Sequence, residues 1–429
     1  MKHPSEDIKG AKSQKLESVT LVLGVTGSIA AVETVKLARE LIRHGAEVYP
    51  VMTEAATKIL TPDALEFATG HKPVTSISGK VEHVALAGIG RPMDILLIAP
   101  ATANTISKLA CGIDDTPVTT FATTAIGSGK KVLVVPAMHG SMYSHPMVKE
   151  NIEKLKKIGV RFLLPKIKEK KAKIPAVENI VSWLIREYNL SQKPERENKK
   201  VLLIGGASAE QIDDVRVITN LSTGKSAVSI AKEAFERGYN LTFFYGTTTP
   251  TTPPHYLSHT PFLCVEDLKK KLYDLYINKN KFQIIICVAA LSDFTPAEGK
   301  AKGKICSEIE EISLKLKRTE KILPLLRRWF PDAIVVGYKL ETAGEEEKLK
   351  KSVKKLMAGE ADCHLVVANE LKDVKTETTT VLIFKKGKKE PLKFSGKKEE
   401  LAVKVFEEVE GLKEKKVSTP LSPHPKHLI

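Results

Sequence analysis

Short apolar, β-branched runs alternate with stretches whose apolar positions recur every three or four residues, and the alternation covers almost the whole chain. In the first half the strand-type runs are TLVLGVT (20–26), EVYPVMT (47–53), DILLIAP (94–100), KVLVVPAM (131–138) and VRFLLP (160–165). Helical patterns separate them at 30–44, near 54–69, at 104–110 and at 146–158. The 30–44 pattern puts Val32, Val35, Ala38, Leu41 and Ile42 on one face, and Gly45 is suited to ending it. The rhythm stops in SQKPERENKK (191–200), a polar stretch with a proline, and then restarts. The second series is VLLIGG (201–206), a helix near 224–237, LTFFYG (241–246), FQIIICVAA (282–290), AIVVGYK (333–339), HLVVAN (364–369) and TTVLIFKK (379–386). A last helix, 398–412, lines up Leu401, Ala402, Val405, Phe406 and Val409. Strands alternating with helices of this length imply parallel βαβ units. The fold expected is α/β, with two Rossmann-like parallel-sheet domains. The boundaries expected are a polar N-terminal tail (1–18), a first domain (19–190), a linker (191–200), a second domain (201–413) and a loose Lys/Pro/Ser-rich tail (414–429).

Composition supports this reading. The 429 residues are 42% hydrophobic and 28% charged, enough for two sizeable cores. No apolar run approaches the length of a membrane span, and the polar start lacks the apolar centre of a secretory signal. A cytoplasmic enzyme is therefore expected. The five cysteines, Cys111, Cys264, Cys287, Cys306 and Cys363, are scattered and form no CxxC pair, which argues against a disulfide framework or a structural zinc site. The net charge of +16 admits nucleic acid or phosphorylated small molecules as partners. The lysines gather in loops such as KIKEKKAK (166–173), KAKGK (300–304) and KKGKK (385–389), with no aromatic platform or helix-turn-helix beside them. That favours phosphorylated small molecules, and a basic nucleotide- or RNA-binding protein is the alternative.

Three turns in the first half carry candidate chemistry. In GVTGSIAAVE (24–33) Gly27 permits a tight turn, Ser28 sits at a helix N-cap, and the first helical N–H groups suit a phosphate. The turn lacks GxGxxG, so a mononucleotide fits better than a dinucleotide. APATANTISKLA (99–110) places Thr102, Asn104 and Thr105 at a strand end, where open parallel sheets bind ligands, although ordinary helix capping explains them equally. VPAMHGSMYSHPM (135–147) puts Met138, Met142 and Tyr143 after another strand end, positions that core packing alone would also explain.

GSIAA, PATANT and PAMxxxMY in this order resemble the flavoprotein family of cysteine decarboxylases, which includes phosphopantothenoylcysteine decarboxylase; the likeness covers roughly 19–186. The resemblance implies an FMN site in which Gly27, Ser28 and Ile29 hold the phosphate end and Thr53, Thr102, Ala103, Asn104, Thr105 and Ala137 complete the pocket. It also implies that His83, in EHVALA (82–87), is the base for oxidative decarboxylation through a thioaldehyde. Two positions depart from the family. His139 stands where PAMN has the asparagine that binds the substrate carboxylate. The flap cysteine of the family's ACG segment has no counterpart in EKKAKIPAVENIV (169–181), where Ala172–Ile174 take its place. Either His139 or Lys173 assists protonation in a variant, archaeal-like decarboxylase, or the domain is a flavin-binding scaffold without turnover.

In the second half, DDVRVITNLSTGK (213–225) leads from a turn into a helix. Ser222, Thr223, Gly224 and Lys225 read as a phosphate cradle, or else as one more α/β turn; no Walker A loop is present. The pattern D-x-V-R-x-I-[ST]-N-x-S-[ST]-G-K closely matches the phosphopantothenate–cysteine ligase family, with AALSDF (289–294), VGYKLET (336–342) and VVANE (366–370) as further matches across 199–412. The whole chain is thus similar to the bifunctional decarboxylase/ligase family of coenzyme A biosynthesis. That resemblance implies activation of 4′-phosphopantothenate by CTP, with ATP left open, as an acyl-cytidylate that cysteine then attacks, with Mg²⁺ accompanying the triphosphate. It implies Asn220 at the acyl intermediate and Lys304 at the reacting phosphates, with Lys300 and Lys302 close by. Asp213 and Arg216 belong to the substrate-binding motif. Cys287, Val288, Ala289 and Asp293 fall in the nucleotide site, Tyr338 beside the base and Lys354 at a further nucleotide contact. The implied assembly is a homo-oligomer of trimeric flavin domains and dimeric ligase domains.

Overall fold

The apolar runs of each half pair side by side into one parallel sheet, and a computed structural model shows how. It describes residues 3–412 apart from 164, 169–170, 307, 309–310, 343–345 and 374, so the expected C-terminal tail lies outside the described residues. The chain divides into two compact units, Met1–Ser191 and Gln192–Ile429.

In the first unit the strands Glu47–Met52, Thr20–Val25, Ile95–Ala101, Lys131–Pro136 and Arg161–Phe162 stand in that order, all parallel. The chain therefore builds outward in one direction from Thr20–Val25 and then in the other. The loops leaving Val25 and Ala101 diverge, which opens a crevice at the carboxyl ends of these two strands. Thr26 bridges it: its hydroxyl donates to the Pro100 carbonyl (2.8 Å) and accepts from the Thr102 amide (3.1 Å). Val22, Leu96, Ile98, Phe121 and Val134 are fully buried in the core.

Several elements differ from the expected pattern. The stretch 30–44 is a 3₁₀ turn, Ile29–Glu33, followed by an α-helix, Thr34–Arg43. Leu37, Ala38, Leu41 and Ile42 form its buried face, whereas Val32 is 48% exposed because the 3₁₀ turn rotates it away from the core. Pro62 divides 54–69 into Glu54–Thr57 and Pro62–Thr69, since a residue without an N–H starts a helix more readily than it continues one. The helix Pro117–Gly127 escapes a hydrophobic-period reading because threonines fill its polar face; Thr120 and Thr124 return their hydroxyls to the carbonyls four residues back. Residues 3–18 are not a tail. Gly10, Lys12 and Leu16 donate backbone hydrogen bonds to Ile42, Arg43 and His44, and Leu16 is fully buried.

In the second unit the order is Thr260–Phe262, Asn240–Gly246, Lys200–Gly205, Ile284–Cys287, Ile334–Glu341, Leu365–Glu370, Thr378–Lys385, Leu392–Lys397. The first six are parallel, and the last two add as an antiparallel hairpin. Numbered along the chain, the parallel part runs 3-2-1-4-5-6, the doubly wound order whose switch point lies between its first and fourth strands. Beyond the strand ends the segments following these two strands stay paired through an Ala207–Ala290 bridge. The helices Lys225–Glu236 and Lys398–Glu410 pack against each other over one face. Two small antiparallel hairpins, Ala209–Gln211 with Val217–Thr219 and Phe294–Pro296 with Leu316–Arg318, contact one another. The expected linker is also structured: Pro194–Asn198 forms a 3₁₀ turn, and Arg196 is buried because its guanidinium meets the Glu410 carboxylate at 2.8 and 2.9 Å and lies over the Tyr239 ring.

Candidate active sites

In the first unit a cleft of about 730 Å³ opens at the first strand's carboxyl end. Ser28, Ile29, Val32 and Glu33 form one wall, Ala137, Met138 and His139 a second, and Lys173 to Val177 with Ile180 a third. The walls follow from local sequence. Gly27 has Ala55 packed where its side chain would be, 2.5 Å from an ideal Cβ, so no larger residue fits this turn. Ser28 is the N-cap of the 3₁₀ turn and accepts from Ala30 N at 3.4 Å. That leaves Ile29 78% exposed, with its apolar side chain standing in the cleft. Met138–His139 pairs with Lys171–Lys173, which folds back on Lys166–Lys168, so a lysine-rich hairpin borders the cleft. His139 caps the short helix Gly140–Tyr143, with its Nδ1 2.8 Å from the Ser141 hydroxyl.

Of the residues expected at the flavin, Ser28, Ile29 and Ala137 line this cleft, and Gly27 adjoins it. Thr53 and Thr102 cap the helices that follow their strands, accepting from Ala56 N and Thr105 N at 3.2 Å. Ala103 and Thr105 are buried in that helix start, and Asn104 is exposed. These residues stand at the carboxyl edge of the sheet, as the topology requires, with the threonine hydroxyls at 53 and 102 occupied by capping. A planar, largely apolar group with a phosphate tail suits this cleft by size, by the unshielded Ile29 and Val32, and by the small-residue turn at Gly27–Ser28.

His83 is not among the cleft residues. It sits in the helix Glu82–Ala87, edge-on to Phe121 with ring centroids 6.4 Å apart. Its Nδ1 is buried and has no hydrogen-bond partner among the described residues. Exposed apolar Val81, Val84 and Ile89 surround it in sequence, at 48%, 42% and 85% exposure.

In the second unit the expected residues gather around the switch point. Ser208 accepts from Ser292 N at 2.9 Å and Asn220 donates to Leu291 O at 3.1 Å, which ties the motif to the loop after Cys287. Cys287 is buried, and burial pushes its thiol up to about 11, so this position contributes backbone rather than thiolate chemistry. Val288 and Ala289 are half-buried beside it, and Asp293 is exposed and paired with Lys321. Gly224, at φ +75°, turns the chain into the helix Lys225–Glu236 and lies so close to Tyr245 that a Cβ would overlap the phenol. Ser222 and Thr223 precede it with their side chains at least partly open, and Lys225 pairs with Glu377.

Asp213 and Arg216 bond to each other and to the 303–305 loop. Asp213 is completely buried. Burial would raise its carboxyl, but the amides of Arg216, Val215 and Ile305, together with the Arg216 guanidinium, hold it far below the usual range. Arg216 also reaches Ile305 O at 3.2 Å, Asp214 N reaches Gly303 O at 3.3 Å, and Lys300 pairs with Asp214 at 2.6 Å. These contacts clasp the KAKGK loop to the motif, with Lys304 exposed at the loop's end.

Tyr338 projects into the core face that carries the helix Lys225–Glu236, near Val288; its hydroxyl is buried and unpartnered among the described residues. Burial pushes the phenol up. Lys354 is exposed on the helix Glu346–Ala358, which covers the opposite face of the sheet through Leu349 and Val353. The structure therefore does not place Tyr338 and Lys354 together. Sequence reasoning missed Glu33 and Ile180 of the cleft. In the 3₁₀ turn Ile29 and Val32, three residues apart, share a face, and Glu33 follows directly on it.

Residues 9–189 match the model of the Flavoprotein family, and residues 196–412 match that of the DNA/pantothenate metabolism flavoprotein C-terminal domain. The chain is 44% identical over 413 residues to the coenzyme A biosynthesis bifunctional protein CoaBC of Thermococcus kodakarensis, covering 96% of this chain and 100% of that one. It is 38% identical to the protein of the same name in Methanocaldococcus jannaschii, covering 96% and 98%. Among solved structures, the DNA/pantothenate metabolism flavoprotein from Streptococcus pneumoniae matches 49% of this chain and 98% of its own at 25% identity and TM-score 0.43. The FMN-dependent cysteine decarboxylase SpaF matches 40% and 98% at 33% identity and TM-score 0.36. With both halves matched and a relative aligned from end to end, the chain belongs to the family of bifunctional coenzyme A biosynthesis proteins CoaBC.

Proposed function

We propose that the chain joins 4′-phosphopantothenate to cysteine in its second unit and decarboxylates the product to 4′-phosphopantetheine in its first. The observation that carries this is the coincidence, in one chain, of two switch-point sites, each within a region matched to one of the two families.

For the ligase, the carboxylate oxygen of phosphopantothenate attacks the α-phosphorus of CTP and pyrophosphate leaves. The cysteine amine then attacks the acyl carbon, CMP leaves, and the amine loses a proton. Asn220, fixed to the Leu291 carbonyl, presents its amide at the edge where the acyl group forms. Lys304, held by the Asp213–Arg216 clasp, offers a cation to the departing phosphates. Ser222, Thr223 and the amides opening the helix Lys225–Glu236 receive the phosphates. Among the described residues no cluster of three or more His, Cys, Asp or Glu could hold a metal, so Mg²⁺ enters with the triphosphate.

For the decarboxylase, FMN supplies the two-electron oxidation and reduction when bound. Ser28 and the following amides hold its phosphate, and Ile29, Val32 and Ala137 face its ring. His139 offers a hydrogen bond to the substrate carboxylate. With no cysteine in the flap, Lys173 or His139, both lining the cleft, returns the final proton. His83 is the base, and because its own cleft does not include it, a neighbouring copy supplies it. The exposed Val81, Val84 and Ile89 give that contact an apolar surface, and the trimer that the family resemblance implies would use it. Exposed Val215, Val217, Leu221, Phe294 and Leu316 on the two hairpins of the second unit favour dimers there. Among the described residues no helix is long and apolar enough to cross a membrane, and we place the enzyme in the cytoplasm.

The deciding assay supplies 4′-phosphopantothenate and cysteine with CTP or ATP, and follows pyrophosphate, carbon dioxide and phosphopantetheine. Pyrophosphate without carbon dioxide from flavin-loaded protein would leave a ligase on a non-catalytic flavin scaffold. Neither product would leave a nucleotide-binding protein.

A further inference from the structure

In the second unit, two helices begin side by side at the carboxyl edge of the sheet. Lys225–Glu236 follows the Gly224 turn, and Lys398–Glu410 follows the strand Leu392–Lys397, which is antiparallel to its antiparallel neighbour and so ends at that same edge. The two helices pack on each other over one face. Their unpaired amides and dipoles make both starts electropositive.

Each helix nevertheless opens with a lysine, the charge a helix N-terminus least favours. Lys225 is partly exposed, but Lys398 is only 7% exposed. Both converge on Glu377: its backbone carbonyl accepts from Lys398 N at 3.0 Å, and its carboxylate pairs with Lys225 Nζ. Lys398 Nζ has no hydrogen bond or ion pair among the described residues. Burial, then the charge of Lys225, lowers the Lys398 ammonium below its usual range, while Glu377 acts weakly the other way. The Glu377 side chain is 74% exposed and easily displaced. A largely buried lysine whose ammonium faces another cation, over two helix starts, is an arrangement that a bound anion would relieve.

We propose that Lys398 and Lys225, with the amides opening the two helices, form a phosphoryl-binding subsite, and that Lys398 is a substrate-binding residue. Glu377 holds the place of the phosphoryl group until it arrives. The ligand chemistry is a phosphate ester or anhydride, which both ligase substrates carry: the 4′-phosphate of phosphopantothenate and the triphosphate of CTP. Only the choice between these rests on the ligase reading; the anion site itself does not.

The test uses the full chain, with Lys398→Gln and Lys398→Arg. In the ligase assay, Lys398→Gln should raise KM about tenfold or more for one of the two phosphorylated substrates, leave KM for cysteine unchanged, and be largely rescued by Lys398→Arg. A rise for CTP assigns the triphosphate, and a rise for phosphopantothenate assigns the 4′-phosphate. Independently of turnover, pyrophosphate should raise the melting temperature of the wild-type protein and much less that of Lys398→Gln. Without anion, that variant should melt no lower than wild type, because it removes a charge that Lys225 repels. A measurement needing no variant supports the same point: pyrophosphate or phosphopantothenate should slow acylation of Lys398 in the wild-type protein but not of exposed Lys36. Equal acylation with and without anion, or unchanged KM values together with an undiminished pyrophosphate shift in Lys398→Gln, overturns the subsite.

Discussion

The Nδ1 of His83 is buried without a hydrogen-bond partner among the described residues, as the proposed role at a neighbouring copy's site would require. Leaving such an atom unpaired costs roughly 1–3 kcal/mol, which a contact or substrate from elsewhere can recover. His83→Asn should therefore keep bound flavin, visible in the absorbance spectrum, and lose carbon dioxide release by at least about a hundredfold. Normal release would remove His83 from the chemistry. If His83 comes from a second copy, mixing His83→Asn with a Ser28 variant defective in flavin binding should restore part of the activity. Asp213 makes the opposite case: all its hydrogen bonds are internal, so it acts on the reaction only through the loop it clasps. Asp213→Asn should lower pyrophosphate release and expose the 300–305 loop to protease, while Asn220→Asp and Lys304→Gln should lower release without that exposure. Equal protease resistance in Asp213→Asn would show that the clasp is not what positions Lys304.

At the level of elements, most strands were legible because the parallel strands of both sheets are buried, so they read as unbroken apolar runs. The turns after Val25 and Gly205 were legible for the related reason that small residues are required there, as the crowding at Gly27 and Gly206 shows. What stayed hidden depends on contacts distant in sequence. The helix Pro117–Gly127 is masked by its threonines. The stretch 191–200 reads as linker because nothing local reveals that Arg196 meets Glu410, 214 residues away. Lys398 looks like any surface lysine until the last helix is packed. The Arg196–Glu410 contact also sets a pH response. Burial tends to raise the Glu410 carboxyl, but Tyr239, Arg237 and Arg196 outweigh it and hold the group below its ordinary 4.5. A carboxyl lowered on folding contributes stability above its unfolded value, and that contribution fades as pH falls through the folded value. Melting of the second unit should thus drop with acidification below about pH 4.5, and Glu410→Gln should melt lower at neutral pH with a flatter acid limb. Parallel limbs in the two proteins would mean that other carboxylates govern acid unfolding.

Across the whole molecule, the division at Ser191–Gln192 and the separate family matches for each half predict two autonomous enzymes on one chain. A fragment of residues 1–191 should bind flavin, and one of residues 192–429 should release pyrophosphate when given CTP, phosphopantothenate and cysteine. Loss of both activities on division would show that each half needs the other.

The cleft wall of Lys173, Ile174, Pro175 and Ala176 has one more consequence. It bears no thiol, and of the chain's five cysteines only Cys111 and Cys306 are exposed. Iodoacetamide or dilute peroxide should therefore leave carbon dioxide release intact at doses that silence a decarboxylase dependent on a reactive sulfur in its flap. A lysine or histidine doing that work would give the first unit a chemical durability that no change in its fold was needed to obtain.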